Sequence, residues 1–271
     1  MNAEVNSEVN AGPILVFDSG VGGLSICQSL RKAGIRLPLL YVADTAWFPY
    51  GLREETDLLQ RVQQLMEPLL RQHRPSLVIL ACNTLSTFAL PALRAQFDVP
   101  FVGVVPAIKP AAQQTRSGVI GLLATPATVK RAYTDQLIAE FAPQCEVIRI
   151  GSNELVLAAE RYFNAGQIDL AAIKHAIEPL IEAKQQQGLD TVVLGCTHFP
   201  LLVAQLDQLL PGIRWIDSGE AIARRVKELL VGQPLYVGND SLTLMFTGTG
   251  ELASDLTKSL ERLGFHHPAF E

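Results

Sequence analysis

The chain has 271 residues, 48% of them hydrophobic and 18% charged, enough apolar surface for a full core and a length suited to two compact domains. Its formal net charge of −5, without any Lys/Arg-rich stripe interleaved with aromatics, gives no basic field for nucleic acid. No apolar run approaches the roughly 18 residues of a membrane span, and four cysteines, at 27, 82, 145 and 196, are too few for a disulfide scaffold, so reduced thiols in a cytoplasmic protein are expected.

The first eleven residues, MNAEVNSEVNA, are polar, lack Lys and Arg and lead into no apolar segment, so they read as a loose tail rather than a signal peptide. Short apolar runs then recur at Ile14 to Phe17, Leu39 to Val42, Leu77 to Ala81 and Phe101 to Val104, each a candidate buried strand. Between them, Leu24 to Lys32 and Asp57 to Gln72 carry apolar residues every three or four positions, the period of helices packed on a sheet. This alternation predicts an α/β fold with a mostly parallel sheet.

The series starts again with candidate strands at Val119 to Leu123, Val147 to Ile150, Thr191 to Gly195 and Ile213 to Ile216. Its clearest internal match aligns L-V-I-L-A-C-N-T at 77–84 with T-V-V-L-G-C-T-H at 191–198. At the same offset Phe101 to Ile108 and Trp215 to Ile222 share only an Ala and an Ile, so the sequence supports duplication at the cysteine strand alone. If strands pair within each half, two similar α/β domains result, with a boundary near Val105 and a return near Pro211. Residues 1–104 plus 211–271 form the first and 105–210 the second, with the site in the cleft between them. A final strand at Leu242 to Thr247 and helix at Glu251 to Leu263 have no counterpart in the first half, which leaves them free to cross back to the first domain.

In an open parallel sheet, ligands meet the loops at the carboxyl ends of strands. Those loops hold the unusual residues: Asp18-Ser19-Gly20, Asp44-Thr45 followed by Pro49-Tyr50-Gly51, Cys82-Asn83-Thr84, Ala124-Thr125-Pro126 and Cys196-Thr197-His198. Cys82 and Cys196 each follow an apolar strand and precede residues that can start a helix, a position that can lower a thiol pKa. A thiol of ordinary pKa is only a few per cent ionised at neutral pH. His198, two residues from Cys196, and Asp18 on the other side are the candidate proton partners.

Each residue also has a plain structural reading. A single strand cysteine is commonly a small buried hydrophobe, which suffices for Cys27 and Cys145. For Cys82 and Cys196 it does not, because two thiols at equivalent positions of a repeated half would face each other across the cleft. Two Cys and one His leave a zinc ligand set short, so no metal is expected. Asp18-Ser19 can act as the N-cap of a helix beginning near Val21, Asn83-Thr84 and Thr197-His198 can also be caps, and Tyr50 can be a half-buried loop aromatic. Gly20-Val21-Gly22-Gly23 suggests a dinucleotide loop with Asp44 as ribose acceptor, but Ser25 holds the place of the third glycine and Asp18 opposes a pyrophosphate.

F-D-S-G-V-G-G-L-S at 17–25, Y-V-A-D-T at 41–45, P-Y-G at 49–51, A-C-N-T at 81–84 and G-C-T-H at 195–198 together resemble the aspartate/glutamate racemase family, and most closely its glutamate-acting members. The resemblance covers roughly Ile14 to Val226. It implies two pseudo-symmetric α/β domains and cofactor-independent interconversion of L- and D-glutamate, supplying D-glutamate for peptidoglycan, with an aspartate racemase or related acidic amino-acid isomerase as the alternative. By that similarity Cys82 and Cys196 are the catalytic acid and base. Asp18, Ser19, Tyr50, Gly51, Asn83, Thr84, Thr197 and His198 match positions that bind substrate or assist the thiols. Glutamate is then the small-molecule partner, a homodimer the assembly allowed for, and neither nucleic acid nor membrane is expected. Leu85 departs from the small residue that many relatives carry after C-N-T.

Overall fold

The computed structural model describes residues 12–231, 240–248, 255–266 and 268–270; the tail read at 1–11 and the first four residues of the helix expected at 251–263 lie outside them. Ten strands occur among the described residues: β1 (Ile14–Asp18), β2 (Leu39–Ala43), β3 (Leu77–Leu80), β4 (Phe101–Gly103), β5 (Val119–Ala124), β6 (Glu146–Gly151), β7 (Thr191–Leu194), β8 (Arg214–Ile216), β9 (Leu242–Phe246) and β10 (Ala269–Phe270). They form a six-stranded sheet, β10-β9-β2-β1-β3-β4, and a four-stranded sheet, β6-β5-β7-β8. Every recorded pairing is parallel.

The order β2-β1-β3-β4 is repeated strand for strand by β6-β5-β7-β8. Duplication legible only at the cysteine strand therefore extends over four strands, with β3 and β7 as equivalents. A pairing pattern is kept by backbone geometry and by any apolar side chain of suitable size, so it outlasts sequence likeness. The β9 strand pairs with β2 in the first sheet. β8 pairs with β7 in the second sheet.

Alternating side chains of the strands feed two faces. Ile14 and Val16 pack with Leu24, Leu30 and Val226 on one side of the first sheet, whereas Leu15 and Phe17 pack with Leu58, Val62 and Leu85 on the other. Burial on both faces explains why β3 is apolar throughout and β1 is apolar as far as Phe17. The second sheet is covered in the same way, with Val192 and Leu194 toward Leu155 and Leu180, and Ile120, Leu122 and Val193 toward Ile108 and Ala142. Helices Leu24–Lys32 and Glu55–His73 lie where the apolar period put them. No helix among the described residues is long and apolar enough to cross a membrane.

At the amino-terminal ends of β5 and β7, one carboxylate ties the chain together. Asp190 accepts from Thr115 Oγ1 at 2.7 Å, the Arg116 and Ser117 backbone N–H at 2.8 and 3.1 Å, and Thr191 Oγ1 at 2.9 Å. Partial burial pushes its pKa up, but the four hydrogen bonds outweigh that and hold it at about 2, against an ordinary 3.8. A depressed carboxylate stabilises the fold above its unfolded pKa and loses that contribution as pH falls through the folded value. Denaturant unfolding should therefore show stability on the order of 1 kcal/mol, once solvent screening of this only partly buried group is allowed for, disappearing between about pH 4 and pH 2. Asp190→Asn should remove that step and weaken the protein by a similar amount at pH 7; an unchanged acid limb in the variant would contradict the assignment.

Candidate active site

β1, β2 and β3 are parallel within one sheet and β5 and β7 within the other, and the loops at their carboxyl ends meet at one cleft. Asp18, Ser19, Tyr50, Gly51, Cys82, Asn83, Thr84, Cys196, Thr197 and His198, all singled out in the sequence, line one cleft of about 340 Å³ including its mouth. Pro49, Thr125, Asn153 and Val156 complete the wall.

The two thiols reach the cleft from equivalent strand ends but meet different surroundings. Cys82 follows β3 as the N-cap residue of helix Asn83–Gln96 and is 7% exposed. Burial drives its pKa well above the ordinary thiol value and the Asp18 charge adds to this, while the Leu85 backbone N–H and the Ser19 hydroxyl oppose it. The lowering expected from a helix start is thus overridden, because removing a thiolate from water costs more than one helix end returns. Cys196 Sγ lies 3.8 Å from His198 Nδ1, and His198 Nε2 lies 2.8 Å from Glu160 Oε2. Burial alone would lower the His198 pKa, but hydrogen bonds and charge from Cys196 and Glu160 overcome it and raise the value well above normal.

Asp18 is fully buried. Its Oδ1 accepts from the Ser19 backbone N–H at 2.7 Å, and its Oδ2 from Thr197 Oγ1 at 2.9 Å. Burial raises its pKa, with His198 pulling the other way. The N-cap reading of Asp18-Ser19 does not hold: helix Leu24–Lys32 starts after Gly23 and has no side-chain cap. Nor do Asn83-Thr84 or Thr197-His198 act as caps, since neither the helix at Asn83–Gln96 nor the 3₁₀ turn at Phe199–Leu202 has a side-chain cap bond. Thr125 is a true cap, accepting from Thr128 N at 3.2 Å, and its hydroxyl lies 3.2 Å from Thr84 Oγ1. Tyr50 is 1% exposed rather than half-buried. Cys27 is fully buried, while Cys145 is only partly so.

The glycine loop is explained by the partner sheet, not by a phosphate. A Cβ on Gly22 would lie 2.4 Å from His198 Nδ1 and 2.7 Å from Thr197 Oγ1. Only glycine lets the loop after β1 approach the loop after β7 this closely. Ser25 Oγ donates to Thr197 O at 3.0 Å, and the Val21 N–H donates to Glu160 Oε2 at 3.1 Å.

The family model for Asp/Glu/Hydantoin racemases matches residues 22–226. The chain belongs to that family. It is 52% identical over 254 residues to the glutamate racemase of Photorhabdus laumondii, covering 93% of this chain and 88% of that one. With the glutamate racemase of Shewanella sp. strain MR-4 it shares 51% over 260 residues, covering 93% and 94%. A crystal structure of Escherichia coli glutamate racemase, in complex with L-glutamate and the activator UDP-MurNAc-Ala, superposes with a TM-score of 0.86 at 43% identity, covering 96% and 98% of the two chains. By these relatives the racemase is an isomerase with an α/β fold.

Sequence reading missed Asn153, Val156 and Glu160, which come from one helix, Asn153–Ala165. The signal was present: positions 153, 156 and 160 share one helical face with buried Ala159 and Phe163, and polar residues on an otherwise apolar face mark a site. What the sequence hid was the partner, because Glu160 and His198 are 38 positions apart. Glu160→Gln should lower the His198 pKa, read from its ring signals in an NMR pH titration. A titration identical to wild type would show that the carboxylate does not hold the imidazolium.

Proposed function

We propose that this racemase interconverts L- and D-glutamate without a cofactor, moving the Cα proton between Cys82 and Cys196. The observation that carries the reading is that two buried thiols, one from each of two repeated sheets, border the same small cleft. Packing alone has no reason to pair them so. Relatives named glutamate racemase across nearly the whole chain support the choice of substrate.

In the proposed reaction one sulfur, as thiolate, takes the Cα proton, and the electron pair left on Cα is delocalised into the α-carboxylate. The opposite thiol then delivers its proton to the other face, and the roles exchange with the hand of the substrate. Reacting atoms within roughly 3–3.5 Å put the sulfurs about 7 Å apart around a bound Cα. Asp18 and His198 assist as proton partners of Cys82 and Cys196 respectively.

Ser19, Tyr50, Gly51, Asn83, Thr84 and Thr197 are assigned to substrate binding. Helix Asn83–Gln96 begins at the cleft, and free N–H groups at a helix start favour an anion such as the α-carboxylate. Asn83 Oδ1 is buried and has no hydrogen-bond partner among the described residues, which leaves an acceptor for the substrate ammonium. The two units that hold the substrate are taken to be those built on the two sheets. Supply of D-glutamate to peptidoglycan, a cytoplasmic location and a homodimer belong to the same proposal.

Incubation with L-glutamate in deuterated water, without added cofactor, should yield D-glutamate carrying deuterium at Cα, with aspartate turned over far more slowly. Cys82→Ala and Cys196→Ala should each reduce racemisation by at least about 10²–10⁴-fold, the typical worth of a general acid or base, with the fold intact by circular dichroism. Wild-type turnover in both directions by either variant would end the two-thiol mechanism.

A further inference from the structure

The motif Tyr41 to Thr45 contributes no residue to the cleft wall, yet its Asp44 is fully buried. A carboxylate removed from water persists only where donors surround it. Arg61 supplies two, Nη2 to Oδ1 at 2.9 Å and Nε to Oδ2 at 3.2 Å, while Thr247 Oγ1 donates to Oδ1. The fourth donor is Tyr50 OH, at 2.9 Å from Oδ2. Helix Glu55–His73, the end of β9 and the loop after β2 thus converge on one side chain.

That loop is also gripped from outside. The guanidinium groups of Arg53 and Arg61 lie 5.5 and 5.7 Å from the Trp47 ring, and the Gly248 N–H donates to Thr45 Oγ1 at 2.9 Å. Its far side faces the second sheet's unit: a Cβ on Gly51 would stand 3.4 Å from Asn153 Oδ1. A loop wall must be ordered before a ligand can use it, and order present beforehand need not be supplied by binding.

We propose that Asp44, held by Arg61, is a positioning residue that fixes the Pro49-Tyr50-Gly51 wall of the cleft through its hydrogen bond from the Tyr50 hydroxyl. It touches neither substrate nor thiol. Because the thiols hang from the ends of other strands, loosening this wall weakens substrate binding and leaves proton transfer largely intact. The inference rests on the racemase reading above.

The test is a double-variant cycle in steady-state racemisation of both glutamate enantiomers. Asp44→Ala should raise KM about tenfold with kcat within twofold, the scale of one charge-assisted hydrogen bond. Asp44→Asn, which retains an acceptor for the tyrosine hydroxyl, should recover most of that loss. In a Tyr50→Phe background Asp44→Ala should add less than twofold, since the link is already broken. A KM within twofold of wild type, fully additive effects, or a kcat loss equal to the KM change overturns the proposal. If Asp44→Ala does not fold, the same cycle with Arg61→Gln is decided on the same criteria. Failure of the wild type to racemise glutamate would sink the racemase reading itself, whereas an active wild type with unaffected variants sinks only this inference.

Discussion

The hydrogen bond from Thr197 to Asp18 joins the end of β1 to the loop after β7, and the cleft exists because these two strand ends meet. The contact is tight on every side. Ser25 reaches the Thr197 carbonyl, the Val21 N–H reaches Glu160, and the missing side chain of Gly22 makes room for the His198 ring. A buried carboxylate is expensive unless satisfied, and among the described residues Asp18 is satisfied by its own neighbour Ser19 and by Thr197 in the loop after β7. Separating the two loops would strand it, so the cost of burying Asp18 becomes a force holding the thiol-bearing loops together.

The repeated strand order makes the backbone nearly symmetric, but the charges are not. Cys82 stands beside burial and a carboxylate, both of which favour the protonated thiol. Cys196 stands beside an imidazole whose pKa is raised by Glu160 and by the sulfur itself. A reaction that takes a proton from one face of a carbon and returns one to the other requires unlike partners at any moment. The fold supplies symmetric positions, and side chains from one helix and one strand end make them unlike.

Stability and chemistry sit at opposite ends of the same strands. At the amino-terminal ends Asp190 gathers four donors and keeps its charge at low pH. At the carboxyl ends Asp18 and His198 are forced away from their ordinary pKa values. Asp44 is a buried carboxylate held by protein donors like a structural ion pair, and it is attached to the cleft wall through Tyr50.

The sequence by itself determined the elements and most of the residues that line the cleft. Apolar runs bounded by polar loops predict nine of the strands to within two residues, because burial on both faces demands such runs. The ten predicted cleft residues were legible because parallel strands must deliver their carboxyl-end loops to one side. The strand Ala269–Phe270 was not legible, since two residues carry no period. Only the tertiary structure decided which side chains meet. Glu160 finds His198, Arg61 finds Asp44 and Gly22 finds His198 through the docking of distant segments. The thiol environments were decided there too, because a pKa depends on the water and charge around a group, and periodicity along a chain records neither.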